Sequence, residues 1–142
     1  SSSLAATSGF ALANLFIVVI DDERDIRFAM QSILEQWGCH VLSASSAAEA
    51  IEQLRHHLRT PDLLISDYRL RDNQNGIQAV QAVRAALEEE LPSIIITGDI
   101  AATELRQVVT LGLPLAHKPI SAYQLRLLIA ETLSRATTPI AD

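Results

Sequence analysis

Cysteine is almost missing from this chain. Cys39 is alone among 142 residues, so no internal disulfide can form and no cysteine cluster can hold zinc, a pattern that suits a reducing cytoplasm. Cys39 itself reads as a small core or boundary residue. Basic residues are also few: 11 Lys and Arg stand against 17 Asp and Glu, for a formal net charge of -6. With no basic stripe, the composition argues against a nucleic-acid groove or an anionic membrane surface, since either needs clustered Lys and Arg. No apolar run approaches the roughly 18 residues of a membrane span, and the opening SSSLAATSGFALAN lacks the basic start of a signal peptide. The expectation is no direct membrane contact and a cytoplasmic location, although a parent protein could still be membrane-anchored. A glycine-rich turn is missing too. DDERD follows the first apolar run, which removes a dinucleotide-binding reading. His40, His56, His57 and His117 share no metal-ligand spacing.

What is present is a set of short apolar runs that end abruptly in polar residues. DLLISDYRL, residues 62 to 70, reads as a buried strand delivering Asp67 to a loop. FIVVI, residues 16 to 20, runs into Asp21 and Asp22; SIIIT, residues 93 to 97, ends on Thr97; and LPLAHKP delivers Lys118. Continuous apolar runs mark strands covered on both faces of a parallel sheet, and ligands bind beyond the carboxyl ends of such strands. Three acids, a hydroxyl and a lysine therefore gather where chemistry is expected. Ser66, beside Asp67, should point the opposite way along its strand.

The segments between the runs read as helices. Asp25 to Trp37 carries Ile26, Met30, Ile33, Leu34 and Trp37 at helical spacing and stops at Gly38. CHVLSA, residues 39 to 44, reads as a second strand, and Ser46 with Glu49 forms a capping box opening a helix through about Leu58. Pro61 breaks the chain before the Asp67 strand. A third helix starts at Gly76 and ends in the acidic run Glu88 to Glu90, a solvated face. A fourth spans about Ala102 to Leu111 before Gly112, and Ser121 with Gln124 opens a fifth that runs to about Arg135. At 142 residues, 49% of them hydrophobic, one domain with a proper core is the expectation. Five alternations of strand and helix predict an α/β fold, a five-stranded parallel sheet with five helices on its two faces. Residues 1–13 read as a linker or tag remnant, and 136–142 as a C-terminal tail.

Carboxylates within about 4 Å of one another repel by roughly 4 kcal/mol at an effective dielectric of 20, so three acids at neighbouring strand ends need a cation or must partly protonate. An oxygen-only set favours Mg²⁺, which completes its octahedron with water and phosphate oxygens and leaves one carboxylate able to act as nucleophile. Lys118 and Thr97 supply the charge and the hydroxyl that an arriving phosphoryl group requires. The set suits phosphoryl transfer to an aspartate.

In their order along the chain, Asp21-Asp22, Asp67, Thr97-Gly98 and Lys118-Pro119 resemble the response-regulator receiver domain over about residues 14–135. The resemblance implies a flavodoxin-like (βα)5 fold. It implies Asp67 as the phosphorylation site, Asp22 as a direct Mg²⁺ ligand, Asp21 as a ligand through water, and the backbone carbonyl of Arg69 as a further ligand. Thr97 and Lys118 would bind the phosphoryl oxygens. The implied partner is a histidine kinase or histidine phosphotransfer domain, docking near Asp22 on Ile26 and Ala29, with homodimerisation left open. Phe28 lies off the buried stripe and either joins that surface or packs on a neighbouring loop. The parent would be a single-domain regulator or a hybrid histidine kinase.

The chain departs from the family pattern at Arg71, where Pro is usual, in a loop from Tyr68 to Gly76 that looks one residue longer than usual, and at Leu115, where an aromatic switch residue is usual. Two other classes compete. A pseudo-receiver would bind partners without phosphorylation, and a haloacid-dehalogenase-type phosphohydrolase would need a second acid two residues after Asp67, where Arg69 stands.

Overall fold

The structure is a computed structural model that describes residues 12–137. Ten elements alternate: β1 (Phe16–Ile20), α1 (Arg24–Gln36), β2 (His40–Ala44), α2 (Ala47–Leu54), β3 (Leu63–Asp67), α3 (Gly76–Leu87), β4 (Ser93–Thr97), α4 (Ala102–Thr110), β5 (Leu115–His117) and α5 (Ala122–Thr137). All strand pairs are parallel, in the order β2-β1-β3-β4-β5. The expected five-stranded parallel sheet and flavodoxin-like topology are thus what the chain adopts.

Strand periodicity divides the core between the two faces. Val18, Ile20, Leu64 and Ile95 face α2, α3 and α4, packing with Leu54, Val80, Val83 and Val108. Ile17, Val19, Ile65 and Ile96 face α1 and α5, packing with Leu34, Leu125 and Ile129. β1, β3 and β4 are buried at every position, which is why their sequences read as unbroken apolar runs rather than as alternation. β2 lies at the sheet edge and alternates, exposed at His40 and buried at Leu42 and Ala44. Fully burying each Ile or Leu contributes about 1.5–3 kcal/mol. Met30, Ile33 and Trp37 pack against the second cluster around Leu34, as their helical spacing predicts.

Some boundaries differ from the sequence reading. α2 ends at Leu54 rather than near Leu58, because the chain turns so that His57 stacks on Phe16, ring centroids 5.1 Å apart, leaving Leu58 fully exposed. Leu12 falls in the stretch read as linker, yet it is buried in the α1/α5 core and its carbonyl accepts from Cys39 Sγ at 3.2 Å. The remainder of that stretch up to residue 11, and the tail from 138, lie outside the described residues. α3 carries a cap that helical periodicity alone did not reveal. Asn75 accepts from Gln78 N–H at 2.9 Å while Gln78 accepts from Asn75 N–H at 2.8 Å, a reciprocal capping box.

Gly76 follows that cap, and its backbone lies close under β3. A Cβ there would stand 2.7 Å from the Asp67 carbonyl oxygen, so the residue must be glycine for α3 to start this near the strand end. Its N–H donates to the Tyr68 carbonyl at 2.7 Å.

Candidate functional site

Register brings the strand ends level. Ile20 pairs with Ala44 and Ser66, Asp67 with Ile96, and Thr97 with His117, so the residues that follow β1, β3 and β5 emerge on one rim. β1 lies between β2 and β3, which places the rim at the point where strand order reverses, the usual ligand position in open α/β sheets. One oxygen from each of Asp21, Asp22 and Asp67 lies within 4.8 Å of the others. Among the described residues, no other group of three or more metal-ligating side chains comes together. Asp21 and Asp67 are buried and Asp22 is half-buried.

Lys118 Nζ is 3.2 Å from Asp67 Oδ1 and 3.9 Å from Asp21 Oδ2. Its N–H donates to the Thr97 carbonyl at 2.8 Å, tying β5's end to β4's, and the Lys118–Pro119 peptide is cis. Asp21 Oδ1 accepts from Glu23 N–H at 2.9 Å, which orients that carboxylate at the start of α1. Burial pushes the Asp21 carboxyl up to about 6; the Glu23 N–H opposes this and the Asp67 charge adds to it. Burial also raises Asp67, against the pull of Lys118. Two acids are therefore held in a setting that disfavours their own charge, which is a setting for a cation. Three oxygen donors with no nitrogen or sulfur among them suit a hard divalent ion.

The remaining predicted residues are placed less directly. Thr97 is buried at the end of β4, and its hydroxyl donates to the Asp99 carbonyl at 3.3 Å rather than to the acids. The Arg69 side chain turns away, its Nε donating to the same Asp99 carbonyl at 3.2 Å and its Nη2 lying 3.6 Å from Glu104. Ser66 is buried with its hydroxyl on the Asp67 carbonyl, so it supplies no second functional side chain at the rim. Leu115 is partly buried against the cluster that contains Tyr68. Tyr68 fills that region, and burial together with its hydrogen-bonded neighbour Glu104 raises its phenol above the usual range. Sequence reasoning missed the Arg69–Asp99–Glu104 connection, since nothing in the local patterns links two loops 30 residues apart.

The family model of the response regulator receiver domain matches residues 17–130. The chain belongs to that family. The receiver's acidic pocket is the Asp21, Asp22, Asp67 and Lys118 cluster described above. Among relatives, the transcriptional regulatory protein ZraR of Escherichia coli O157:H7 is 30% identical over 130 residues, 91% of this chain and 28% of its own length. The CAI-1 autoinducer sensor kinase/phosphatase CqsS of Vibrio cholerae is 30% identical over 99 residues, 68% of this chain and 14% of its own. The chain thus spans about a quarter or less of the length of these curated relatives. Among solved structures, a response regulator receiver domain protein from Clostridium thermocellum superposes with a TM-score of 0.74 at 25% identity, covering 86% of this chain and 96% of that one. A response regulator receiver protein from Pseudomonas putida gives a TM-score of 0.72 at 27% identity, over 84% and 98%. No helix among the described residues is long and apolar enough to cross a membrane.

Proposed function

We propose that this receiver domain accepts a phosphoryl group on Asp67 from the phosphohistidine of a histidine kinase or phosphotransfer domain, with Mg²⁺ held by Asp22, by Asp21 through water, by Asp67 and by the Arg69 carbonyl. One observation carries the reading: three carboxylate oxygens lie within 4.8 Å of one another with Lys118 Nζ 3.2 Å from one of them. Bound Mg²⁺ would neutralise the cluster and offset charge on the transferring phosphoryl oxygens.

The chain's own groups do the rest. A carboxylate oxygen of Asp67 forms a bond to phosphorus as the bond to the histidine nitrogen breaks, and the imidazole leaves with that bond's electron pair. Lys118 is close enough to Asp67 to pair with a phosphoryl oxygen, and the Thr97 hydroxyl can exchange the Asp99 carbonyl for another. The phosphohydrolase alternative lacks the acid it needs two residues after Asp67, because Arg69 stands there and its side chain turns to Asp99 and Glu104. Relatives that include transcriptional regulators and a sensor kinase/phosphatase are consistent with either parent named above, a single-domain regulator or a hybrid histidine kinase, working in the cytoplasm.

Incubation with Mg²⁺ and acetyl phosphate or phosphoramidate, followed by intact mass and peptide mapping, tests the assignment. Wild type should gain one phosphoryl group at Asp67, and Asp67→Asn should gain none. A stable label on Asp67→Asn at the wild-type rate would reject the acceptor. For the partner, Ile26 and Ala29 line an apolar cleft of about 320 Å³ between α1 and the start of α5, opening beside Asp21 and Lys118. Phe28 is 69% exposed and does not line that cleft. Ile26→Glu should slow transfer from a phosphorylated histidine protein and leave labelling by small donors intact. Equal loss with both donors would remove the docking role.

A further inference from the structure

The β3–α3 loop folds back as a miniature hairpin. Arg69 pairs antiparallel with Asn75, the Leu70 N–H donates to the Gln74 carbonyl at 3.1 Å, and the Gln74 N–H donates to the Arg71 carbonyl at 3.1 Å. Asp72 and Asn73, between them, have φ of 61° and 60°. Two successive positive φ angles closed by such a bond are the mark of a type I′ turn, and Asx residues tolerate that conformation. The extra loop length and the departure at Arg71 have the same local explanation: Arg71 is the last residue before the turn.

This hairpin directs Arg71 towards the acidic cluster. Its Nε is 3.6 Å from Asp22 Oδ2. Lys118 sits against Asp67 and Asp21, so the one acid that Lys118 leaves uncovered is the one Arg71 meets. We propose that Arg71 is a tethered counter-cation that occupies Asp22 in the metal-free protein and competes with a divalent ion for it, setting the metal affinity of the site. The proposal rests on the reading of Asp21, Asp22 and Asp67 as the metal site. A fixed positive charge beside a ligand acts in two ways: the guanidinium must withdraw before Asp22 coordinates, and it repels the incoming ion. Because the Arg71 side chain is 77% exposed, solvent screens the interaction and the effect is modest.

The test is a calorimetric titration of the full chain with Mg²⁺ at low ionic strength, wild type against Arg71→Ala. The hairpin is closed by backbone hydrogen bonds, so the substitution removes the charge and leaves the turn. Arg71→Ala should bind Mg²⁺ about two- to fivefold more tightly, and the gain should shrink as salt is raised. Unchanged or weaker affinity overturns the proposal, as does a gain that persists undiminished at high salt. If neither protein binds Mg²⁺, the metal-site reading itself falls, and with it the role of Arg71.

Discussion

The two ends of the sheet handle charge in opposite ways. At the amino end of the strands Asp62 is satisfied one-to-one: its carboxylate accepts from Phe16 N–H at 2.8 Å and from Arg59 at 2.8 Å. At the carboxyl end three acids crowd round one half-buried lysine and one exposed arginine. Asp62 is also the more exposed, its side chain 37% accessible against 8% for Asp21 and Asp67, so the crowded acids have less solvent to offset their charge. The difference is balance. A structural acid is placed where its partners complete it, whereas a cluster with more negative charge than its own cations can offset stays intact because something else is to arrive. Lone acids near strand ends are common, and the crowding is what separates the site from the scaffold.

The largest expected effect breaks the crowded end. Asp22→Ala should weaken Mg²⁺ binding on the order of tenfold or more, and more than Asp21→Ala does, because direct ligation outweighs contact through water. Calorimetric titration ranks the two, and equal affinities would remove the distinction between them. The balanced end should respond in stability instead. Asp62→Ala leaves the Phe16 N–H without its acceptor and should cost about 1–3 kcal/mol, measured by urea unfolding, with Asp67 labelling at the wild-type rate. A labelling defect in Asp62→Ala would mean that the two ends are coupled and the contrast is wrong.

Most of this architecture is legible in the sequence because its strongest signal is the simplest. β1, β3 and β4 are buried on both faces, so each reads as an apolar run, and each ends where the run ends. The acids at those ends can then be assigned to one rim without any long-range information. What escapes the sequence depends on contacts between distant segments. The end of α2 is set by His57 stacking on Phe16, and Leu12 is buried by meeting Cys39. Arg71 can be noticed as unusual from sequence, but its pairing with Asp22 requires the hairpin made by Asp72 and Asn73. The Asn75 to Gln78 spacing is that of a capping box and is a local cue, legible one residue before the Gly76 helix start.

The smallest effect sharpens the comparison through pH. In the folded, metal-free protein the Asp21 carboxyl is raised from 3.8 to about 6, chiefly by burial, and Asp67 is raised in the same direction. An acid raised on folding binds its proton more tightly in the native state than in the unfolded chain. Between its unfolded and folded values the native state therefore holds more protons, and stability must rise as pH falls. The sign is opposite to that of an acid held ionised by salt bridges. For Asp21 alone, lowering pH from 7 to 5 should add about 1 kcal/mol to the stability of the metal-free protein, with no further gain below the unfolded value of 3.8. Other groups titrate in this range, so the measurement is a difference: urea unfolding of wild type and Asp21→Asn in chelator at pH 7, 6 and 5. Asp21→Asn should be the more stable at pH 7, and its advantage should diminish towards pH 5 as wild type takes up its proton. A constant gap between the two proteins across this range would mean that Asp21 is already protonated, or still fully charged, throughout. In the first case the crowded end would lack the excess negative charge that sets it apart from the end held by Asp62; in the second its partners would offset that charge as fully as Arg59 and Phe16 do for Asp62.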